Sequence, residues 1–193
     1  SLLETIVFGK ITGKDMVRFV QNEGKERPAS STKDLAKAQK RVAELKARPA
    51  KKSGKTLKRQ GQIFTELTEA MNEYCSVFRD EPRLKKAMKA VEQAKADYAA
   101  MPLDDKESAF NTELITAMEL GNLIQLGEAT VMTARERKES RGAHSREELP
   151  KRDDKNWMVH ITAHCSTEGK FSLGRCPVRT VDNTEYAPQE RKY

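Results

Sequence analysis

Between Gln62 and Phe78 the apolar residues Ile63, Phe64, Leu67, Ala70, Met71, Tyr74, Cys75 and Phe78 recur at i, i+1, i+4, i+7, i+8, i+11, i+12 and i+15. That spacing lays them along one face of an α-helix, whereas a strand would scatter them over both of its faces. A helix with so wide an apolar stripe needs partners, and they follow at once. Asp80 and Pro82 signal a second helix start, with Leu84, Ala87, Met88, Val91, Ala94 and Tyr98 on its face and Pro102 at its end. A third, longer stretch from about Glu107 to Lys138 carries Phe110, Leu114, Ile115, Met118, Ile124, Leu126 and Val131. It is apolar on more than one side, which suits a central member, and Gly121 and Gly127 would let neighbours approach closely. The expected fold is mainly α, with an antiparallel three-helix bundle-like domain at its centre.

The core that such a bundle can build is modest. Only 36 of the 193 residues are Leu, Ile, Val or Phe, a fraction bordering on that of chains too polar to fold alone. A large β-sandwich is excluded, and a helical domain that leans on another surface for part of its burial is expected. The opening residues fit that expectation. Leu2, Leu3, Ile6, Val7, Phe8, Met16, Val17 and Val20 have helical spacing, and Ser1 with Glu4 makes a capping box. GKITGK is not a phosphate loop, because three residues rather than four separate its glycines and no strand precedes it. The chain lacks an initial Met and begins inside an apolar stretch, so it reads as a piece of something longer. No basic leader precedes the apolar residues, and no run approaches the roughly 20 residues of a membrane span. Cys75, Cys165 and Cys176 are too few and too irregular for a disulfide framework, which favours a reducing compartment.

The net charge of +7 sits in one place. Residues 22–58 contain 12 Lys/Arg against 4 Asp/Glu, so the remainder of the chain is close to neutral. Clustered Lys and Arg can release counterions from nucleic-acid phosphates. This segment has no aromatic residue for base stacking and no recognisable module, so it reads as a solvated, weakly packed insertion. Leu35, Ala38, Val42 and Leu45 share a helical face within it, and Pro28, Pro49 and Gly54 bound that short helix.

Beyond Gly142 the periodicity changes. Trp157, Val159, Ile161, Ala163 and Cys165 alternate with Met158, His160, Thr162 and His164, the pattern of a strand with one buried face. A turn at STEG returns the chain from Phe171 to Val181 as its partner. His160, His164, Cys165 and Cys176 raise the question of zinc, but Cys165 points to the opposite face from both histidines, and no metal is expected. A Cys75–His144 nucleophile pair is set aside because Cys75 belongs to an apolar stripe, where thiols are inert packing residues. Seven Lys/Arg and six Asp/Glu crowd residues 135–154 and can pair among themselves, with Gly142 placed as the left-handed terminator of the long helix. The residues alone describe a salt-bridged elbow between helix and hairpin.

That elbow, RKESRGAH at Arg137 to His144, then Pro150, Arg152-Asp153-Asp154 and Trp157, closely resembles the flavoprotein subunit of succinate dehydrogenase and fumarate reductase. SLLETIVFG at the start, MNEYCSVFRDEPRL, NTELITAMELGNLI and the ending YAPQERKY resemble the same family. The likeness covers about 150 residues, everything outside the basic segment, for which the family has no counterpart. Ser145 and Glu148-Leu149 depart from it, since aromatic residues are usual after His144 and after the acidic position. Aspartate oxidase shares the bundle and the RKESRG signature but has a different tail, and ranks second. A non-catalytic basic helical module that binds RNA is the alternative of another class.

The resemblance implies the following organisation. Residues 1–21 would be the last helix of a flavin-binding domain, 22–58 the basic insertion, 59–142 the helical bundle, and 143–193 the elbow and a small C-terminal β-hairpin tail. The dinucleotide fingerprint, the flavin-carrying histidine and the proton-shuttling arginine of the family lie outside this sequence, so no catalytic residue is expected here. Ser1 and Leu2 carry over as a flavin contact, because a helix N-terminus offers free N–H groups to a ring that gains negative charge on reduction. FAD in the intact subunit, an iron–sulfur partner subunit, and a cytoplasmic position peripheral to the inner membrane through partner subunits are implied with it. Nucleic acid is not.

Overall fold

The structure, a computed structural model, describes residues 2–23, 32–49 and 57–178. Its elements in chain order are α1 (Leu2–Asn22), α2 (Thr32–Lys46), α3 (Gln60–Tyr74), β1 (Phe78–Arg79), α4 (Glu81–Ala100), α5 (Thr112–Glu136), β2 (Ser145–Arg146), α6 (Asp154–Trp157), β3 (Val159–Cys165) and β4 (Phe171–Pro177). The mainly α fold with a small hairpin is the one the periodicity predicts. The chain divides into two compact units, residues 1–42 and 43–193.

In the first unit α1 presents its apolar residues to solvent. Leu3, Ile6, Val7, Phe8, Ile11, Met16, Val17, Phe19 and Val20 are all exposed. Leu35 of α2 is exposed as well, so the helical face proposed for it is not buried as a whole.

The second unit holds the core. Ile63 and Leu67 of α3, Leu84, Ala87, Val91 and Ala94 of α4, and Ala117, Leu120, Ile124, Val131 and Ala134 of α5 are buried together, with Met71, Tyr74, Met88, Leu114 and Met118 packed against them. Leu45, at the end of α2, is buried in the same cluster. Arg48 donates to the Tyr98 carbonyl at 2.6 Å and lies over the Tyr98 ring. The end of α2 and Arg48 just beyond it are therefore anchored to the bundle.

Local chemistry sets the helix ends. At the start of α3 the Gln62 Oε1 reaches back and accepts from the Arg59 N–H at 2.9 Å. The Asp80 carboxylate accepts from the Arg83 N–H at 2.6 Å, and Pro82 stands in the first turn of α4, where a missing N–H costs nothing. Two boundaries differ from those the stripe predicts. First, α3 stops at Tyr74, and Phe78 is exposed on the two-residue strand β1 rather than continuing the helix. The Asp80–Pro82 start signal needs the preceding chain extended. Second, α5 begins at Thr112 because the buried Asn111 is its cap. Asn111 Oδ1 accepts from the Leu114 N–H at 2.7 Å, while its Nδ2 donates to the Asp105 and Glu107 carbonyls. Phe110 thus falls outside the helix, fully exposed and with φ of 53°.

The sheets are small. β1 and β2 pair in parallel, Phe78 opposite Ser145 and Arg79 opposite Arg146. β3 and β4 form an antiparallel hairpin from Val159↔Pro177 to Cys165↔Phe171, turning through Gly169 at φ of 77°. The single buried face predicted for this strand is not found: Val159 and Ile161 are half-buried, and the strand beyond them is exposed on both faces. Both β3 and β4 contact α5. Trp157, just before it, is buried between the Arg137 and Arg175 guanidinium groups.

Gly127 lies where the three helices meet. A Cβ there would stand 3.7 Å from Val91 Cγ2 and 3.9 Å from Leu67 Cδ1, ordinary contact distances, so the close approach predicted for it does not require glycine. Gly127→Ala is expected to stabilise the chain by about 0.5–1 kcal/mol in urea unfolding, through helix propensity. Leu84→Ala, at a side chain with no exposure, is expected to cost about 2–5 kcal/mol in the same measurement.

Candidate functional site

The antiparallel course of α4 and α5 brings the start of one beside the end of the other, and the elbow is built there. At the end of α5 four carbonyls lack helical partners. Arg146, 1% exposed, supplies donors to them. Its Nη1 lies 3.2 Å from the Ala134 carbonyl and 3.4 Å from those of Arg135 and Arg137. A cation at this end also meets the negative pole of the helix. The same guanidinium reaches Glu148 at 2.5 Å and Glu81 at 3.4 Å. Glu148 in turn accepts from the Glu81 N–H at the start of α4, at 2.9 Å. Glu81 also receives Arg135 at 2.7 Å.

Glu139 is the second anchor, with no solvent exposure. It accepts from Arg137 Nη1 at 2.5 Å, from Arg141 Nε at 2.7 Å and Nη2 at 3.1 Å, and from the Asp153 N–H at 2.7 Å. Burial pushes its carboxyl up, but the bonds from Arg141, the Asp153 N–H and Arg137 outweigh burial and hold it below the ordinary carboxylate range. Arg141 is completed by Asp154 at 2.6 Å. Gly142, at φ of 59°, allows Arg141 and His144 to exchange backbone hydrogen bonds of 2.8 and 3.0 Å. This tight reversal needs the left-handed conformation that a side chain disfavours. The carboxylate pairing of Arg141 and the positive φ of Gly142 follow the sequence reading, but Gly142 does not terminate the long helix: α5 ends at Glu136 on an extended Arg137, and Gly142 serves the separate reversal between Arg141 and His144.

His144 stands apart from these pairs. Its Nδ1 lies 2.7 Å from Arg79 Nη1, and its Nε2 is buried without a hydrogen-bond partner. Burial first, and then the Arg79 guanidinium, drive its pKa down to about 4. The Arg137 backbone acts in the opposite sense, although no hydrogen bond reaches Nε2. The group is neutral at physiological pH, and no carboxylate orients it as a general base would require. Cys75 is buried, and burial pushes its thiol up against the pull of Arg79, the reverse of what a nucleophile needs. The hairpin residues Cys165 and Cys176 are exposed.

Of the residues singled out from the sequence, Arg141, Gly142 and His144 come together here with Arg137 and Glu139. Ser1 and the tail YAPQERKY lie outside the described residues, as does the side chain of Leu2, whose backbone opens α1. Arg146 and Arg79 were missed. The only signal for Arg146 was its position four residues after the turn at Gly142, and nothing local marked Arg79, which reaches the elbow through the β1–β2 pairing.

An all-helical core closed by a basic-acidic elbow and a small hairpin defines a mainly helical domain. Residues 64–193 match the family model described as "Fumarate reductase flavoprotein C-term", and the chain belongs to that family. The fumarate reductase flavoprotein subunit of Mycobacterium tuberculosis is 30% identical over 193 residues, all of this chain and 32% of that protein. The succinate dehydrogenase flavoprotein subunit of Coxiella burnetii is 35% identical over 162 residues, 83% of this chain and 26% of that protein. A mutant FrdA of the E. coli quinol fumarate reductase superposes with a TM-score of 0.80 at 28% identity, over 95% of this chain and 31% of that one. The chain thus spans about a third or less of the length of these relatives.

Two acid-sensitive groups follow from the geometry. Glu139 has a lowered pKa, so its contribution to stability is present above the ordinary carboxylate range and lost as pH falls through its own lower value. His144 at about 4, against 6.5 when unfolded, contributes fully above about 6.5 and loses that contribution as pH falls towards 4. Glu139→Gln should cost about 3–5 kcal/mol at neutral pH, because it removes the buried carboxylate that balances Arg137 and shares Arg141 with Asp154. His144→Gln should flatten the pH dependence of the urea midpoint between about 6.5 and 4, read by circular dichroism.

Proposed function

We propose that this chain is the C-terminal portion of a flavin-dependent oxidoreductase subunit that interconverts succinate and fumarate and passes electrons to an iron–sulfur partner. In this reading the chain is structural and partner-docking. The observation that carries it, beside the family, is α1: nine large apolar side chains on one 21-residue helix face solvent. A helix of that kind is stable in water only when another surface covers it. The remaining two-thirds of a subunit of the relatives' length, with 1–21 as the last helix of its flavin-binding domain, is such a surface.

The chain's residues fit FAD at one point. α1 begins at Leu2, so the N–H groups of its first turn lack helical acceptors and that end is its positive pole, where the resemblance carries over Ser1 and Leu2 as the flavin contact. These residues would hold the electron-rich edge of the ring. Bound there, FAD supplies the hydride-accepting chemistry of succinate oxidation. The residues that clamp substrate and move its proton belong to the rest of the subunit. The elbow would hold the bundle rigid against that domain, with Glu139 and Arg146 fixing the ends of α4 and α5. Among the described residues no helix is long and apolar enough to cross a membrane, which fits a subunit peripheral to the inner membrane on its cytoplasmic side and held there by its partners.

The 193-residue chain on its own should retain no flavin and turn over neither succinate nor fumarate; a yellow preparation with stoichiometric flavin would overturn this. In the full-length subunit, Phe8→Glu should lower flavin content and melting temperature together. The same change in the 193-residue chain should leave its melting curve unaltered, since Phe8 is already exposed. Equal behaviour of wild type and variant in the full-length subunit would remove the basis for the reading.

A further inference from the structure

The sequence puts Phe64 on the apolar stripe of α3 and makes α5 apolar on more than one side, more than three helices can bury. The surplus lies along a groove between α3 and α5. A cavity of about 240 Å³ there is lined by Gln60, Phe64, Thr116, Glu119, Leu120 and Leu123, among others. Leu120 belongs to the buried core, whereas Phe64 and Leu123 are exposed. Ile115, four residues before Glu119, and Leu126, three after Leu123, are neighbours on the same side of α5 and are exposed as well. From Ile115 to Leu126 the strip runs about 16 Å along the helix. That is the length of a polypeptide contact rather than of a single small ligand, and a contiguous apolar surface of this kind marks an interaction site.

The charges around the groove have one sign. From Gln60 to Phe78 and from Glu107 to Ala134 there is no Lys, Arg or His, although the chain as a whole carries +7. Glutamates punctuate both stretches. Glu66 is paired with Lys58 and Glu128 with Lys95, but Glu119, at the cavity itself, has no ion pair among the described residues. The bases just before α3 are committed elsewhere, Lys58 also to Asp97 and Arg59 to Asp104. Carboxylates with no bases among them give this face a negative potential that reaches about 8 Å at physiological salt.

We propose that the α3–α5 groove is a docking surface for a basic amphipathic segment of a partner polypeptide. One large apolar side chain of that segment sits between Phe64 and Leu123, its neighbours cover Ile115 and Leu126, and its Lys or Arg side chains lie over Glu119. An apolar helix face laid into a hydrophobic groove is a common mode of recognition, and the charge selects which helix fits. An acidic segment is repelled. A second copy presenting the same face would set Glu119 against Glu119 across a two-fold axis, so the charge argues for a partner of different composition. The inference concerns the bundle alone and does not rest on the function proposed above.

The test is methyl NMR of the isotopically labelled 193-residue chain, titrated with a synthetic amphipathic peptide of Leu and Lys. A peptide of the same pattern with Glu in place of Lys is the control. The Ile115, Leu123 and Leu126 methyl signals should shift saturably with the Lys peptide and not with the Glu peptide, and the affinity should fall as salt is raised. Leu123→Gln should weaken binding about tenfold. Glu119→Lys should weaken it and remove most of its salt dependence. Both positions are exposed, so the melting curves of the variants should stay close to that of the wild type. Absence of a saturable shift at Leu123, equal binding of the Glu peptide, or binding undiminished by Leu123→Gln would overturn the proposal. Self-association that shifts the same signals without peptide would also overturn it, because a second copy would then be the occupant. In the full-length subunit the same signals should respond to the Lys peptide; silence there would mean that the subunit covers the groove with its own chain, and the proposal would fall. Flavin content and turnover test the succinate–fumarate reading separately.

Discussion

A carboxylate with no solvent exposure, Glu139, ties together parts of the chain that have no other reason to meet. Through Arg137 it reaches the last turn of α5, through Arg141 the reversal at Gly142, and through the Asp153 N–H the start of α6. Burying one charge among apolar helices would be prohibitive unless it were paired and hydrogen-bonded on every side. Once it is, the arrangement tolerates little variation. Removing one partner leaves an unpaired charge behind, so the elbow is held as a unit rather than as separate surface pairs.

Arg146 performs the complementary task from the other direction. It meets the end of α5 with its donors and the start of α4 with its charge, because Glu81 and Glu148 both reach it. The bundle core packs the helices side by side, but apolar contacts are non-directional and do not by themselves fix how far one helix slides along another. The elbow adds fixed distances at one end. Arg79 and His144 belong to the same corner and are the exception within it, a cation whose described partners are all neutral beside an orphaned donor.

The two units differ in the same physical sense. The second unit buries a contiguous apolar core and pairs the charges of its elbow. α1 leaves nine large apolar side chains in water, and the family to which the chain belongs consists of subunits about three times its length. On the proposed reading the exposed helix is a surface that the remainder of the subunit completes by burial.

Three helices, their order and most of their buried faces were legible in the sequence, because a 3.6-residue apolar period and Asp, Asn and Pro start signals are local properties. Ile63, Leu67, Val91 and Trp157 are buried as their spacing required. The turn at Gly142 was legible for the same reason. What sequence alone left undecided was everything set by partners distant along the chain. The hairpin alternates as a half-buried strand should, yet only Val159 and Ile161 of β3 are half-buried, and no local pattern records where a neighbouring surface stops. The end of α3 was displaced by a start signal six residues further on. Arg79 and His144, 65 residues apart, meet because β1 pairs with β2. Charge type is written in the sequence, but which charges become buried, paired or left unbalanced depends on distance and dielectric, and those exist only once the chain has folded.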